Sequence, residues 1–286
     1  MSENFNEHTA ENCNHDCSSC GASCSSREMP QSLLEEENPY SHIKNIFAVI
    51  SGKGGVGKSS VTATLAVMLA RMGYKTAIMD ADITGPSIPR AFGVYEEPEA
   101  TGDALMSVES KTGIKLMSLN LLIPDETTPV VWRGPIIAGT VKQFYTDVIW
   151  GDIDYMLIDC PPGTGDVPLT IFQSLPIKGA IVVTTPADLV SMIVEKAVRM
   201  ADDMDIPVVG IVENMSYFKC PDCGSIHNIF GESRLSDVMM RLGIDVCIRL
   251  PIDMEQTELM DTGRIEDVKE NELKSLAELI AAKWKV

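Results

Sequence analysis

From Ile46 onward the chain alternates short runs of β-branched and apolar residues with longer stretches whose apolar positions recur at helical spacing. IFAVIS is followed by SSVTATLAVMLARMG and then KTAIMD, so a strand, a helix and a second strand are expected in that order. The same texture predicts strands at IKLMSL, YMLIDC, GAIVVTTP, PVVGIVEN and VCIRLP, and helices around 136–149, 188–203, 232–242 and 269–284. Alternation of this kind builds parallel sheets covered by helices on both faces. One doubly wound, mostly parallel α/β domain over residues 43–286 accommodates all these elements, with no internal repeat. Residues 1–42 read differently. Acidic, Ser and Asn side chains dominate there, large apolar ones are few, and the stretch ends in EEENPYSH. Such a segment cannot bury a core alone, so a tail is expected, flexible except where its cysteines bind metal.

Charge narrows the possible partners. Against 23 Lys+Arg stand 41 Asp+Glu, a formal net charge of −18. That balance repels nucleic-acid phosphates and anionic lipid, so neither nucleic acid nor membrane is an expected partner. No apolar run approaches the ~20 residues of a membrane helix, and MSENFNEHTAENC lacks the basic and apolar regions of a secretion signal. A cytoplasmic protein is therefore expected. Disulfides are rare in that compartment, so the 8 cysteines call for metal, catalysis or burial. Cys13, Cys17, Cys20 and Cys24 cluster near the start, and Cys220 and Cys223 form a CxxC pair. Cys160 and Cys247 stand alone in apolar runs, where a free cysteine is ordinarily a small buried hydrophobe.

Between the first strand and the first helix lies Gly52-Lys53-Gly54-Gly55-Val56-Gly57-Lys58-Ser59, which satisfies GxxxxGK(S/T). The glycines let successive backbone N–H groups point at phosphate oxygens, and the helix N-terminus adds its positive dipole end. Lys58 is expected to reach the β- and γ-phosphates of ATP. Ser59 is expected to place its hydroxyl on Mg²⁺, with Ser60 completing the phosphate-binding set. Lys53 adds a second ammonium to the loop, either as a solvated side chain or as a group reaching the phosphate of a neighbouring subunit. Carboxylates gather where the strands end, the edge at which open α/β sheets bind ligands. Asp80 and Asp82 follow KTAIM. Asp159 ends YMLID and is expected to hold Mg²⁺ through water. Asp82 is the candidate for orienting the attacking water. Asp166, after Pro161-Pro162-Gly163-Thr164-Gly165, reads either as a switch residue or as a helix N-cap.

Cys220-Pro221-Asp222-Cys223-Gly224 places two thiols on a tight knuckle that suits zinc or an iron–sulfur cluster. Two thiolates close neither site, whereas a two-fold axis beside the knuckle would double them. The N-terminal C-x3-C-x2-C-x3-C quartet has enough ligands for a full cluster; zinc, with His15 as a substitute ligand, and free reactive thiols are the other readings.

The GKGGVGKS loop resembles the deviant Walker A motif of dimeric ATPases that include MinD, ParA and the nitrogenase iron protein. Together with DADITGPS, VVWRGP at 130–135, DCPPGTGD and ENMSYFxCPxCG, it is similar to the Mrp-type ATP-binding iron–sulfur cluster carriers, from about Ile43 to the C-terminus. That resemblance implies a P-loop NTPase fold, ATP and Mg²⁺ as cofactors, slow hydrolysis, and Lys53 acting in trans. It also implies that DADITGPS and DCPPGTGD are switch I and switch II and that Asn214 reads the adenine. A [4Fe–4S] cluster would bridge Cys220 and Cys223 of a homodimer and pass to apo iron–sulfur proteins. Two other functions fit the loop: a MinD- or ParA-like spatial-organisation ATPase with structural zinc, and an electron-transfer ATPase like the nitrogenase iron protein.

Overall fold

The computed structural model describes residues 33–123, 132, 134–186 and 190–286. The Cys13, Cys17, Cys20 and Cys24 quartet and His15 lie outside them, as do Val130, Val131 and Arg133 of VVWRGP. Leu34–Val286 form one compact unit. Its strands are β1 (His42–Ser51), β2 (Thr76–Asp80), β3 (Ala100–Thr101), β4 (Ala104–Met106), β5 (Val108–Glu109), β6 (Lys115–Met117), β7 (Val148–Ile149), β8 (Asp152–Asp159), β9 (Ile177–Thr184), β10 (Val208–Lys219), β11 (Ile226–His227) and β12 (Cys247–Pro251). Its helices are α1 (Lys58–Arg71), α2 (Ile88–Phe92), α3 (Gly134–Thr146), α4 (Asp166–Ser174), α5 (Val190–Asp202), α6 (Leu235–Leu242), α7 (Met254–Asp261) and α8 (Leu273–Lys283).

The main sheet runs β11-β10-β9-β1-β8-β2-β6-β5, with β12 also paired to β10. Its pairings are parallel except at the two ends, where β5 and β11 run antiparallel to their neighbours. The expected doubly wound P-loop fold is therefore present. Strand periodicity divides the core between the two faces. In β1, Ile46, Ala48 and Ile50 pack with α3, α4, α5 and α6, while Phe47 and Val49 pack with α1, α2, α7 and α8. Fully burying such side chains contributes about 1.5–3 kcal/mol each.

Helix α1 is buried over most of its circumference by Val61, Ala63, Leu65, Ala66, Val67 and Leu69. A helix apolar on so many sides needs cover above as well as below, and α8 supplies it with Leu273, Leu276, Ala277 and Ile280. Beyond α8, Trp284 meets Phe47 edge-on at 5.0 Å and accepts the Tyr155 hydroxyl on its carbonyl at 2.7 Å. The terminal helix is thus a core element, and no described helix is long and apolar enough to cross a membrane.

The compact unit begins ahead of the boundary expected between residues 42 and 43. Glu35 N donates to Ser174 O, Asn38 is buried and donates to Thr146 O at 3.2 Å, and the Ser41 hydroxyl receives Trp150 N at 2.8 Å. Helix α3 ends sooner than periodicity suggested because Val148 and Ile149 leave it to pair with β4. The short α2 and α7, and the small β3-β4-β7 sheet, carry too few residues for a periodic signal.

Candidate nucleotide and metal sites

The loop leaves β1 at Ser51 and enters α1 at Lys58. Gly55 and Gly57 have φ of 76° and 79°, in the left-handed region that residues with a side chain rarely adopt. Gly57 also lies so close to Asn214 that a Cβ would sit 2.2 Å from Nδ2. No side chain caps α1, so the first-turn N–H groups are left for a ligand. They open on a cavity of ≈ 280 Å³ lined by Ser51, Lys53 to Ser60, Asp82, Pro162 and Met260. Every loop residue singled out from the sequence lines this cavity except Gly52, which is pressed beneath α5, where a Cβ would fall 1.7 Å from Ile193 Cγ2. The Lys53 ammonium has no ion pair among the described residues.

The strand-end carboxylates converge on Lys58, which is only 6% exposed. Its Nζ is 2.6 Å from Asp159 Oδ1 and 4.0 Å from Asp82 Oδ2. Asp159 further accepts the Ser59 hydroxyl at 2.6 Å and the Thr62 hydroxyl at 2.9 Å. Burial works to depress the Lys58 ammonium, but Asp159, then Asp82 and Asp80, outweigh it and hold its pKa above the usual lysine value. Burial pushes the Asp82 carboxyl up, with Lys58 opposing. Asp80 is wholly buried and is driven up to about 8, first by burial and then by the charge of Asp159. It accepts the backbone N–H groups of Asp82, Ser87 and Ile88 and the Ser118 hydroxyl, so it fastens both ends of the DADITGPS loop. In the DCPPGTGD segment, Gly163 N donates to Ser51 O at 2.7 Å. Gly165 caps α4, correcting the reading of Asp166 as N-cap; Asp166 stands in the first turn over Gly134.

A second cavity of ≈ 260 Å³ adjoins the first and is lined by Asn214 and Met215 together with Pro251, Asp253, Gln256 and Met260. Asn214 donates to Val56 O at 3.0 Å and its Oδ1 receives Met215 N at 2.9 Å. This corner exists because β10 is irregular: its register against β12 shifts between Glu213 and Tyr217, and Met215 takes φ of 54°. Gln256 and Met260 were not singled out from the sequence. Gln256 reaches Ser60 Oγ at 2.7 Å and Thr64 Oγ1 at 2.9 Å, and nothing in MEQTELMD marks it in advance.

Beyond the irregularity β10 runs directly to Cys220. Gly224 N donates to Cys220 O at 2.9 Å, closing the knuckle, and Gly224 has φ of 73°. Phe218 pairs with His227 and Lys219 with Ile226, so the thiols sit at the tip of a hairpin. Pro221 to Phe230 are exposed. Cys223 is solvent-facing, and the Ser225 hydroxyl 3.2 Å from its sulfur lowers its thiol pKa. Among the described residues no three His, Cys, Asp or Glu side chains gather as a metal site. Cys160 is buried, with its thiol pushed up by desolvation, and Cys247 is half-buried at the start of β12 and pushed up to about 11 in the same way.

A family model described as "NUBPL iron-transfer P-loop NTPase", of the ParA group, matches residues 42–284. A protein of Clostridium perfringens called iron-sulfur cluster carrier protein is 46% identical over 246 residues, covering 83% of this chain and 86% of its own. A protein of the same description from Methanocaldococcus jannaschii is 43% identical over 257 residues, covering 88% and 89%. Among solved structures, a nucleotide-binding protein in complex with ADP from Archaeoglobus fulgidus superposes with a TM-score of 0.72 at 43% identity, covering 80% of this chain and 90% of that one. The cell division ATPase MinD of Pyrococcus furiosus shares the fold, at 20% identity and a TM-score of 0.61 over 84% and 99% of the two chains. Match length and identity agree: this chain belongs to the NUBPL-type iron-transfer family of P-loop NTPases.

Proposed function

We propose that the chain is a homodimeric ATPase that carries a [4Fe–4S] cluster and delivers it to apo iron–sulfur proteins in the cytoplasm. The observation that carries the reading is a complete phosphate-binding loop, touched by Asn214 of β10, and at the end of that same strand a thiol pair, half-buried Cys220 and exposed Cys223, with no third ligand among the described residues. Half a coordination sphere per chain is completed by a second copy. The uncapped α1 N-terminus and buried Lys58 fit the phosphates of ATP, and Ser59 with Asp159 fit Mg²⁺. Mg²⁺, when bound, neutralises charge on the β- and γ-phosphates. Lys58 holds those phosphates, Asp82 orients the attacking water, and Lys53 reaches across the dimer to the partner's nucleotide. Asn214 contacts the base. Hydrolysis is slow and serves to time release. The relatives' description as cluster carriers favours this over a spatial-organisation or electron-transfer role, for which the MinD likeness supplies fold alone.

Anaerobic reconstitution with iron and sulfide tests it. The expected result is a brown dimer with one bridging cluster, lost in Cys220→Ser and Cys223→Ser. A parallel variant with Cys13, Cys17, Cys20 and Cys24 all changed to Ser separates any tail-bound metal. Recovery of zinc alone from the wild-type chain overturns the reading.

A further inference from the structure

The segment that carries the thiols leaves its pairing with β12 after Tyr217 and returns at Ser233, and one buried carboxylate bonds a serine beside each foot. Glu213 is 2% exposed. Its Oε1 accepts the Ser233 hydroxyl at 2.6 Å, and its Oε2 accepts the Ser216 hydroxyl and Arg249 Nε, the latter at 3.1 Å. Arg249, opposite Glu213 in the β10–β12 ladder, also donates to Ser216 Oγ at 2.7 Å. Ser233 in turn receives Leu235 N at 3.3 Å, tying the return to the start of α6. A buried carboxylate given three donors is a rigid junction, because removing any one leaves an acceptor unpaired in a low-dielectric setting. The next residue along the chain is Asn214, whose amide is bonded to the phosphate-binding loop at Val56 O.

Resting on the carrier reading above, we propose that Glu213 is a positioning residue for the cargo site: it clamps the base of the 218–232 excursion and passes the state of the nucleotide cavity to Cys220 and Cys223. A change at Asn214 reaches Glu213 through one peptide unit, and Glu213 bonds to the serines at both feet. Neither the thiols nor the loop need touch each other.

The test uses the full chain with Glu213→Gln and, as a gentler change at the far foot alone, Ser233→Ala, with Ser233→Thr as the conservative rescue. Hydrogen exchange over residues 218–232 is read in the iron-free chain with and without ATP. The half-life of the reconstituted cluster against bathophenanthroline is read in the same two conditions. The wild-type chain is expected to show an ATP-dependent change in both. Ser233→Ala and Glu213→Gln are expected to shrink that change at least about threefold while ATP affinity stays within about twofold, and Ser233→Thr restores it, as loss of one buried hydrogen bond implies. A wild-type ATP response retained in both variants, or none in wild type, overturns the clamp. So does loss that only tracks global unfolding in both variants. Failure of wild type to hold iron overturns the carrier reading separately, since the exchange measurement needs no metal.

Discussion

Lys58 stands among three acids and is the residue on which the loop's electrostatics turn. Replacing it with Met leaves Asp159 buried without its cation, a change that costs about 3–5 kcal/mol for such pairs. Lys58→Met is therefore expected to lose ATP binding and also to lower the urea midpoint of the ligand-free protein. A variant that loses binding at unchanged stability would show that the Asp159 pair is not held in solution. Asp80 sets a pH dependence. Its folded pKa of about 8 lies above the ordinary value of 3.8, so between these the native state holds a proton that the unfolded state has released. Stability from this group is full below about 4 and is lost as pH rises toward 8. The melting temperature of the nucleotide-free chain should fall across that window, and Asp80→Asn should flatten the fall. Lys58 and Ser59 stood out in the sequence through the spacing of the phosphate-loop motif, and Asp82 and Asp159 through their place at the ends of apolar strands. Asp80 was visible only as a member of the acidic pair; its grip on Ser87 and Ile88 depends on where the chain turns back, which no local pattern encodes.

The strands and long helices were legible as short apolar β-rich runs alternating with longer helical stretches, the central strands being buried on both faces. Helices α2 and α7 were not, being too short for a period to show; beside the apolar contacts of Ile88, Ala91, Phe92 and Leu259, a close contact between backbones sets how they meet. Gly93 and Gly263, with φ of 65° and 70°, meet there so closely that a Cβ on Gly263 would lie 2.6 Å from Gly93 Cα. This crossing fixes α7, which brings Gln256 and Met260 to the second cavity. Gly263→Ala therefore meets both backbone strain and a collision that no side chain can relieve. It is expected to cost about 2–4 kcal/mol by urea denaturation and to weaken nucleotide binding. Gly113→Ala, also at positive φ but in open space, provides the comparison and should cost about 1 kcal/mol.

At the scale of the whole molecule the proposed second copy rests on incompleteness: among the described residues the Lys53 ammonium has no ion pair and the Cys220 and Cys223 thiols meet no third ligand. Action in trans has a sharp signature. Neither Lys53→Ala nor Asp82→Asn should hydrolyse ATP alone. Mixing them forms heterodimers in which one of the two sites has both groups intact, so about a quarter of wild-type turnover should return. No recovery on mixing would place Lys53 in the site of its own chain. The contrast among the described sulfurs carries one more consequence. Cys223 is open to solvent with an acidified thiol, whereas Cys160 is sealed in the core with a thiol that resists ionisation. A brief maleimide pulse read by peptide mass would mark Cys223 only on vacant carriers, with Cys160 as the internal blank, and so turn the knuckle into a gauge of how much of a cell's pool is travelling empty.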